Sequence, residues 1–157
     1  MSPNKEVLRL SQEKFLKSFE NVPRFAVNLI ITNEEGEVLL TRRNIPPDEE
    51  SWHFPGGFVL KNEPHLDALR RVASDELGLV LDENTALTLL GIFDDLDGDP
   101  RGHVIDAAFG LQVSNISSQL KTIEKTRGTL EIGFFTAGKL PKDIGFNHRD
   151  TLNRLGY

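Results

Sequence analysis

The sequence predicts an α/β fold, a mixed β-sheet covered by helices, and three observations carry that prediction. β-rich apolar runs recur between residues 24 and 135, and an amphipathic helical stretch separates an early group of strands from a later one. No linker, repeat or low-complexity tract divides the 157 residues. Domains typically hold about 100–150 residues, so a single domain over residues 1–157 with a sizeable core is expected.

The elements follow in order. Val7, Leu8, Phe15, Leu16 and Phe19 recur at near-helical spacing among charges, predicting an N-terminal helix within residues 1–22 that ends before Pro23. RFAVNLIIT at 24–32 and EVLLTR at 37–42 are β-rich and separated by NEEG, which predicts a hairpin. The acidic, proline-rich loop IPPDEES follows, then a short strand at HFPGGFV. Pro64 suits a first helical turn and Gly78 a C-terminal stop, with Leu66, Leu69, Ala73 and Leu77 as an apolar stripe between them. LTLLGIFD at 87–94 and HVIDAAFGLQV at 103–113 read as strands flanking the turn-rich DLDGDPRG. Residues 114–128 are polar and read as loop, TLEIGFF as a strand, and NHRDTLNRL as a short helix with Asn147 as its N-cap. Phe109, Phe134 and Phe135 are assigned to the core.

Composition narrows the function classes. Hydrophobic residues make up 38% and charged residues 27% of the chain, ordinary for a globular protein, and the net charge of −6 with no long basic run argues against a nucleic-acid partner. The absence of cysteine removes thiolate metal ligation and thiol catalysis. Neither a signal-peptide core nor a run of roughly 18 apolar residues is present, so no membrane association and a cytoplasmic location are expected.

The stretch GGFVLKNEPHLDALRRVASDELGL carries the chemistry. Positions 72, 75, 76 and 79 lie on one side of a helix that turns about 100° per residue, which brings Asp75 and Glu76 close together near its end. Adjacent carboxylates repel unless a cation or solvent screens them, and a hard divalent cation such as Mg²⁺ resolves the conflict with one or two carboxylates, water and phosphate oxygens. A solvated acidic face with an Arg71–Asp75 pair is the competing reading. Upstream, Gly56 and Gly57 follow Pro55, so backbone can approach a ligand where a side chain would obstruct it.

This stretch resembles the Nudix box, G-x5-E-x7-R-E-U-x-E-E-x-G-U, with U aliphatic. Gly57, Glu63, Arg71, Glu76, Gly78 and Leu79 match it, Ala73 matches loosely, Asp75 stands where glutamate is usual, and Val72 replaces the glutamate after the arginine. LLTRRN and SWHFPGG before the box, and EIGFF, KLPKD and FNHRD after it, extend the likeness over most of residues 24–155. The resemblance implies a Nudix α/β/α sandwich with a central mixed sheet. It also implies a Mg²⁺- or Mn²⁺-dependent hydrolase of nucleoside diphosphates linked to another moiety. Glu76, Asp75 and the Gly56 carbonyl would hold the metal, while Glu63 and Arg71 would pair to hold the loop on the helix.

Val72 then offers three outcomes. GDP-mannose mannosyl hydrolase-type members look similar, since they too lack this glutamate and keep the last one; their leading helix is similar to residues 9–23. They break a sugar carbon–oxygen bond, but usually carry arginine where this chain has Phe58 and a histidine base that KTIEKTRGTL lacks. ADP-ribose pyrophosphatases have a loop similar to DGDPRGHV, with a base from a late loop, for which Glu124 or Glu131 could serve. Degenerate family domains bind nucleotide without turnover.

Other candidates are weighed on chemistry. Arg42 and Arg43 leave a strand beside the expected cleft, and alternation sends one to each face; Arg43 is the choice for the diphosphate, against two solvated arginines. Trp52 could stack on a base or sugar, or belong to the core. His103 is a candidate general base or a loop cap. His53, His65 and His148 are assigned to surface or capping roles. Asp94, Asp95, Asp97 and Asp99 crowd one loop where one of them could supply a metal ligand, though turn chemistry accounts for most. A small-molecule nucleotide is the expected partner, and a homodimer is possible by resemblance.

Overall fold

The computed structural model describes residues 5–120 and 129–157. Its elements are α1 (Gln12–Ser18), β1 (Arg24–Thr32), β2 (Val38–Arg43), β3 (Trp52–His53), β4 (Gly56–Phe58), α2 (His65–Leu77), β5 (Thr88–Asp95), β6 (Val104–Gln112), α3 (Ile116–Leu120), β7 (Thr129–Phe135) and α4 (His148–Arg154). The seven strands form one sheet with the path β3-β2-β1-β6-β5, with β4 paired to β1 and β7 to β2. Among the described residues β1 and β6 pair in parallel, and the other strand pairs are antiparallel. This is the expected mixed sheet.

Period-two alternation builds a core on each face. Val27, Leu29 and Ile31 of β1, Leu39 of β2, and Ala107, Phe109 and Leu111 of β6 join Ala68, Leu69, Val72, Ala73 and Leu77 of α2. The intervening residues Ile30, Val38, Leu40 and Ala108 meet Phe54 and Leu152 of α4 on the other face. Phe134 and Phe135 are partly buried against opposite cores.

The sheet also opens the cleft. β1 and β2 share a single register pair, Thr32↔Val38. Beyond it they part, β1 taking β4 and β2 taking β3 and β7 as partners. Asn28 of β1 and Arg43 of β2 line the cleft between the diverging strands.

Several expectations are corrected. The N-terminal helix is confined to Gln12–Ser18: Ser11 caps it by accepting from the Lys14 N–H, and Leu8 pairs instead with Lys61. HFPGGFV is two strands, β3 and β4, because proline has no N–H to donate to a ladder. A short helix, α3, interrupts the predicted 114–128 loop. The stripe on α2 includes Val72, whereas Leu66 is 36% exposed. Gly78 ends α2 with a φ of 62°, as its position predicts. Asn147 makes no capping hydrogen bond; its side chain donates to the Asp94 carbonyl.

Leu69 sits fully buried between α2 and the sheet. Leu69→Ala should lower unfolding free energy by about 2–5 kcal/mol with an unchanged denaturant slope, as measured by urea titration.

Candidate active site

Two glycines set the geometry. Gly56 pairs with Asn28 of β1, and a Cβ there would overlap Asn28 Oδ1 and lie 2.9 Å from the Val27 carbonyl oxygen. A Cβ on Gly57 would stand 3.3 Å from Val72 Cγ2. At Gly56 and Gly57, β4 therefore lies between β1 and α2 with little room for a side chain, and its backbone becomes part of the cleft wall.

The loop from β4 to α2 is held by Glu63 and Arg71. Arg71 Nε donates to Glu63 Oε1 at 2.6 Å and one terminal amine donates to Oε2 at 3.0 Å; it also donates to the Phe58 carbonyl at 3.0 Å. Glu63 Oε2 accepts the Leu60 N–H at 2.8 Å. Burial pushes the Glu63 carboxyl up, yet these bonds and the Arg71 charge hold it below its ordinary value. A planar guanidinium is suited to such bidentate pairing.

One turn later α2 presents Glu76 to the cleft. Burial pushes its carboxyl up to about 8, with a smaller push from the Asp75 charge; a hydrogen bond from the Gly56 backbone and the charges of Arg43 and Arg71 oppose that rise. Asp75 is solvent-exposed and does not line the cleft, whereas Val72 is 2% exposed and packs in the core.

The cleft has a volume of about 210 Å³, and polar side chains from β1, β2, β3, β5 and β6 line it. Asn28 donates to Asp106 Oδ1 at 3.1 Å. Burial pushes the Asp106 carboxyl up to about 6; the Asn28 bond opposes this, and the charges of Asp95 and Asp99 add to it. Asp95 accepts the Gly98 N–H at 2.6 Å, and Asp99 takes a two-pronged pair from Arg101 at 2.9 and 2.7 Å. The Arg101 guanidinium lies 5.1 Å from the Phe58 ring centre, and Phe15 of α1 and Phe19 just after it join the same aromatic group. Arg43 reaches across to the carbonyls of Pro46 and Pro47 and lies 5.2 Å from the Phe146 ring centre.

Two histidines bracket Phe54. His53 Nδ1 lies 2.6 Å from the Phe54 carbonyl oxygen, and the Phe54 N–H donates to His148 Nδ1 at 3.1 Å. Both rings are buried and line the cleft. Burial, assisted by the Arg43 charge, takes His53 down to about 3; His148 is likewise driven well below its ordinary value, chiefly by burial.

The NUDIX domain model matches residues 22–155. The chain belongs to the Nudix family. It is 35% identical over 134 residues to the low-salt glycan biosynthesis protein Agl8 of Haloferax volcanii, covering 77% of this chain and 83% of that one. It is 36% identical over 126 residues to the ADP-ribose pyrophosphatase of Methanocaldococcus jannaschii, covering 80% and 69% respectively. Among solved structures, a MutT/nudix family protein from Enterococcus faecalis superposes with a TM-score of 0.69 at 24% identity over 93% of this chain and 70% of that one. The NUDIX domain of Shewanella oneidensis NrtR, crystallised with ADP ribose, superposes with a TM-score of 0.66 at 14% identity over 93% and 97%. The chain is thus a Nudix hydrolase with the α/β fold of its relatives.

Of the residues proposed from sequence, Arg43, Gly56, Gly57, Phe58 and Glu76 meet at this Nudix cleft. Arg42 turns away, near Glu50 and Glu131 at 3.7 Å each, and Trp52 packs edge-on against Phe135. His103 lies 3.7 Å from Asp94 outside the cleft lining, and Glu124 falls outside the described residues. His53 and His148 do not hold the surface or capping roles expected, since both are buried, His53 in β3 and His148 at the start of α4. Asn28 and Asp106 were missed, although each interrupts an apolar strand run on the face opposite α2, and that interruption was the available signal. Asp95 and Asp99, two of the four loop aspartates named from sequence, line the cleft, whereas Arg101 was hidden among ordinary turn residues.

Sign and size of the Glu63–Arg71 pair are testable. Because the folded Glu63 carboxyl is held below its unfolded value, its contribution is present at neutral pH and is lost as pH falls through the carboxylate range. Glu63→Gln should therefore destabilise by about 1–3 kcal/mol at pH 7, and chemical denaturation should show the gap to wild type closing in acid.

Proposed function

We propose that this Nudix hydrolase is a Mg²⁺- or Mn²⁺-dependent nucleotide-sugar hydrolase of the GDP-mannose mannosyl hydrolase kind. The observation that carries the reading is the division of labour on α2: Val72 belongs to the core and Glu76 is the side chain of that helix which lines the cleft. Among the described residues no group of three or more acidic or histidine side chains is poised to hold a metal. The donors that α2 and β4 offer are the Glu76 carboxylate and the Gly56 backbone, which are joined by a hydrogen bond. That set fits a hard cation that keeps much of its water and takes substrate phosphate oxygens. Asp75, exposed one residue earlier, would act through water.

When bound, the metal would supply positive charge to the diphosphate and ease its departure. The protein's residues do the rest. Arg43 lines the same cleft as the acidic residues and would bind phosphate oxygens, while Arg101 and Phe58 would form a cationic, aromatic rim for the nucleoside side. Asp95 and Asp106 repel phosphate as carboxylates, and together with the Asn28 amide they offer hydrogen bonds to hydroxyl groups, so they orient a sugar. Asp106, whose carboxyl titrates near 6, has the protonation behaviour wanted of a general base that takes a proton from the attacking water.

The relative named for glycan biosynthesis is consistent with a nucleotide-sugar substrate. A second reading, phosphoanhydride cleavage, is supported by the relative named ADP-ribose pyrophosphatase. Product analysis in ¹⁸O-labelled water, with Mg²⁺ and a panel of GDP-mannose, GDP-glucose, UDP-sugars and ADP-ribose, separates the two. Label in free sugar is expected; label in a phosphate product would replace the first reading with the second. Glu76→Gln should abolish metal-dependent turnover. Turnover should rise with pH through about 6, as Asp106 ionises. Asp106→Asn should remove that limb and lower kcat by about 10²–10⁴-fold in a pH–rate profile.

A further inference from the structure

We propose that His148 is a substrate-contacting residue of this reaction, a neutral imidazole locked with its proton on Nε2 that donates a hydrogen bond to the diphosphate. The inference rests on the hydrolase reading above and on geometry that the reading does not use.

The lock is a backbone hydrogen bond. Phe54 N–H donates to His148 Nδ1 at 3.1 Å, and a ring nitrogen that accepts a hydrogen bond must carry its lone pair. The remaining ring proton therefore belongs to Nε2. A second proton on Nδ1 would break the bond and leave the buried Phe54 N–H without a partner, at a cost of about 1–3 kcal/mol. Packing reinforces the arrangement: the ring lies 4.7 Å from the Phe54 ring and 5.3 Å from the Phe146 ring, and only 5% of the residue is exposed. The charged and titratable groups facing it are Arg43 of β2 and His53 of β3. Both disfavour a cation at this position.

With Nδ1 turned toward Phe54, the imidazole edge left for the cleft is the one bearing Nε2–H. Arg43 lines the same cleft, so the two residues offer a charged and a neutral donor to one anionic group. A neutral donor suits the place. It adds a hydrogen bond to a phosphate oxygen without a second buried positive charge beside Arg43, and its strength does not change across the working pH range.

Two measurements test this on the full chain. In long-range ¹H–¹⁵N spectra of the histidine rings, His148 should show an unprotonated Nδ1 and a protonated Nε2 from pH 8 to pH 5. Its Nε2–H resonance should move on saturation with GDP or ADP in the presence of Mg²⁺. A protonated Nδ1, or an Nε2–H that stays still while the Gly56 amide shifts, overturns the proposal. If neither nucleotide moves any cleft resonance, the proposal and the hydrolase reading fall together. Side-chain shape supplies the second test. His148→Asn retains an acceptor where Nδ1 stood, and so the Phe54 bond, but cannot reach the substrate; His148→Gln keeps a donor near the Nε2 position. The asparagine variant should melt close to wild type and lose about 10- to 100-fold in kcat/KM, with the glutamine variant recovering part of that loss. An asparagine variant that folds with unchanged kcat/KM would make His148 a support for Phe54 and nothing more.

Discussion

The fold and the site both depend on one close approach, the passage of Gly56 and Gly57 between β1 and α2. No Cβ fits at Gly56 without overlapping Asn28, and one at Gly57 would press on Val72. Because the backbone itself fills this gap, several consequences follow together. β1 is drawn away from β2 after a single register pair, which opens the cleft. α2 is brought near enough for Glu76 to receive a hydrogen bond from Gly56. The loop that leaves β4 must then turn sharply to start α2, and the Glu63–Arg71 pair holds it there while Arg71 also caps the Phe58 carbonyl.

The electrostatics of the cleft are those of a site built for a charged guest. Glu76 and Asp106 are buried carboxyls whose pKa values rise to about 8 and 6, a sign that neither has enough positive charge or solvent near it to stabilise the anion fully. Arg43 and Arg101 share the same cavity, but Arg101 is already committed to Asp99 and Arg43 spends donors on loop carbonyls. A folded chain seldom buries charges this way for stability, since desolvation outweighs much of what pairing returns. Clustering of perturbed groups in one concavity is the pattern expected where binding and catalysis occur.

The sequence made the layered sheet legible because its periodicities are local: strand alternation and the α2 stripe each report which face is buried. The box was legible for a different reason, since its glycines, Glu63 and Arg71 serve contacts within a short segment. What was hidden depends on distant strands. Asn28 and Asp106 become neighbours only because β1 and β6 run parallel, a pairing that joins residues 78 apart. His148 reaches Phe54 across 94 residues and could not be told from a capping histidine at a helix start. The N-terminal helix was overextended because Val7 and Leu8 share helical spacing with Phe15, while the contact that claims Leu8 lies at Lys61.

Val72 shows how a missing ligand can be read as a packing residue. Helical spacing put position 72 beside Glu76, and the resemblance to the Nudix box implied that a carboxylate was missing there. In the folded chain the isopropyl group is 2% exposed, joins Val27, Leu29 and Leu69, and touches the space above Gly57. A carboxylate at this point would have to be stabilised by a cation at the cleft or suffer the cost of burial in an apolar layer. Valine removes that requirement, so the apolar contact between α2 and β4 holds whether or not a cation is present. The chemistry this leaves to the cleft is correspondingly narrower: one carboxylate from the helix, a glycine backbone, and donors and acceptors contributed by β1, β2, β6 and the start of α4.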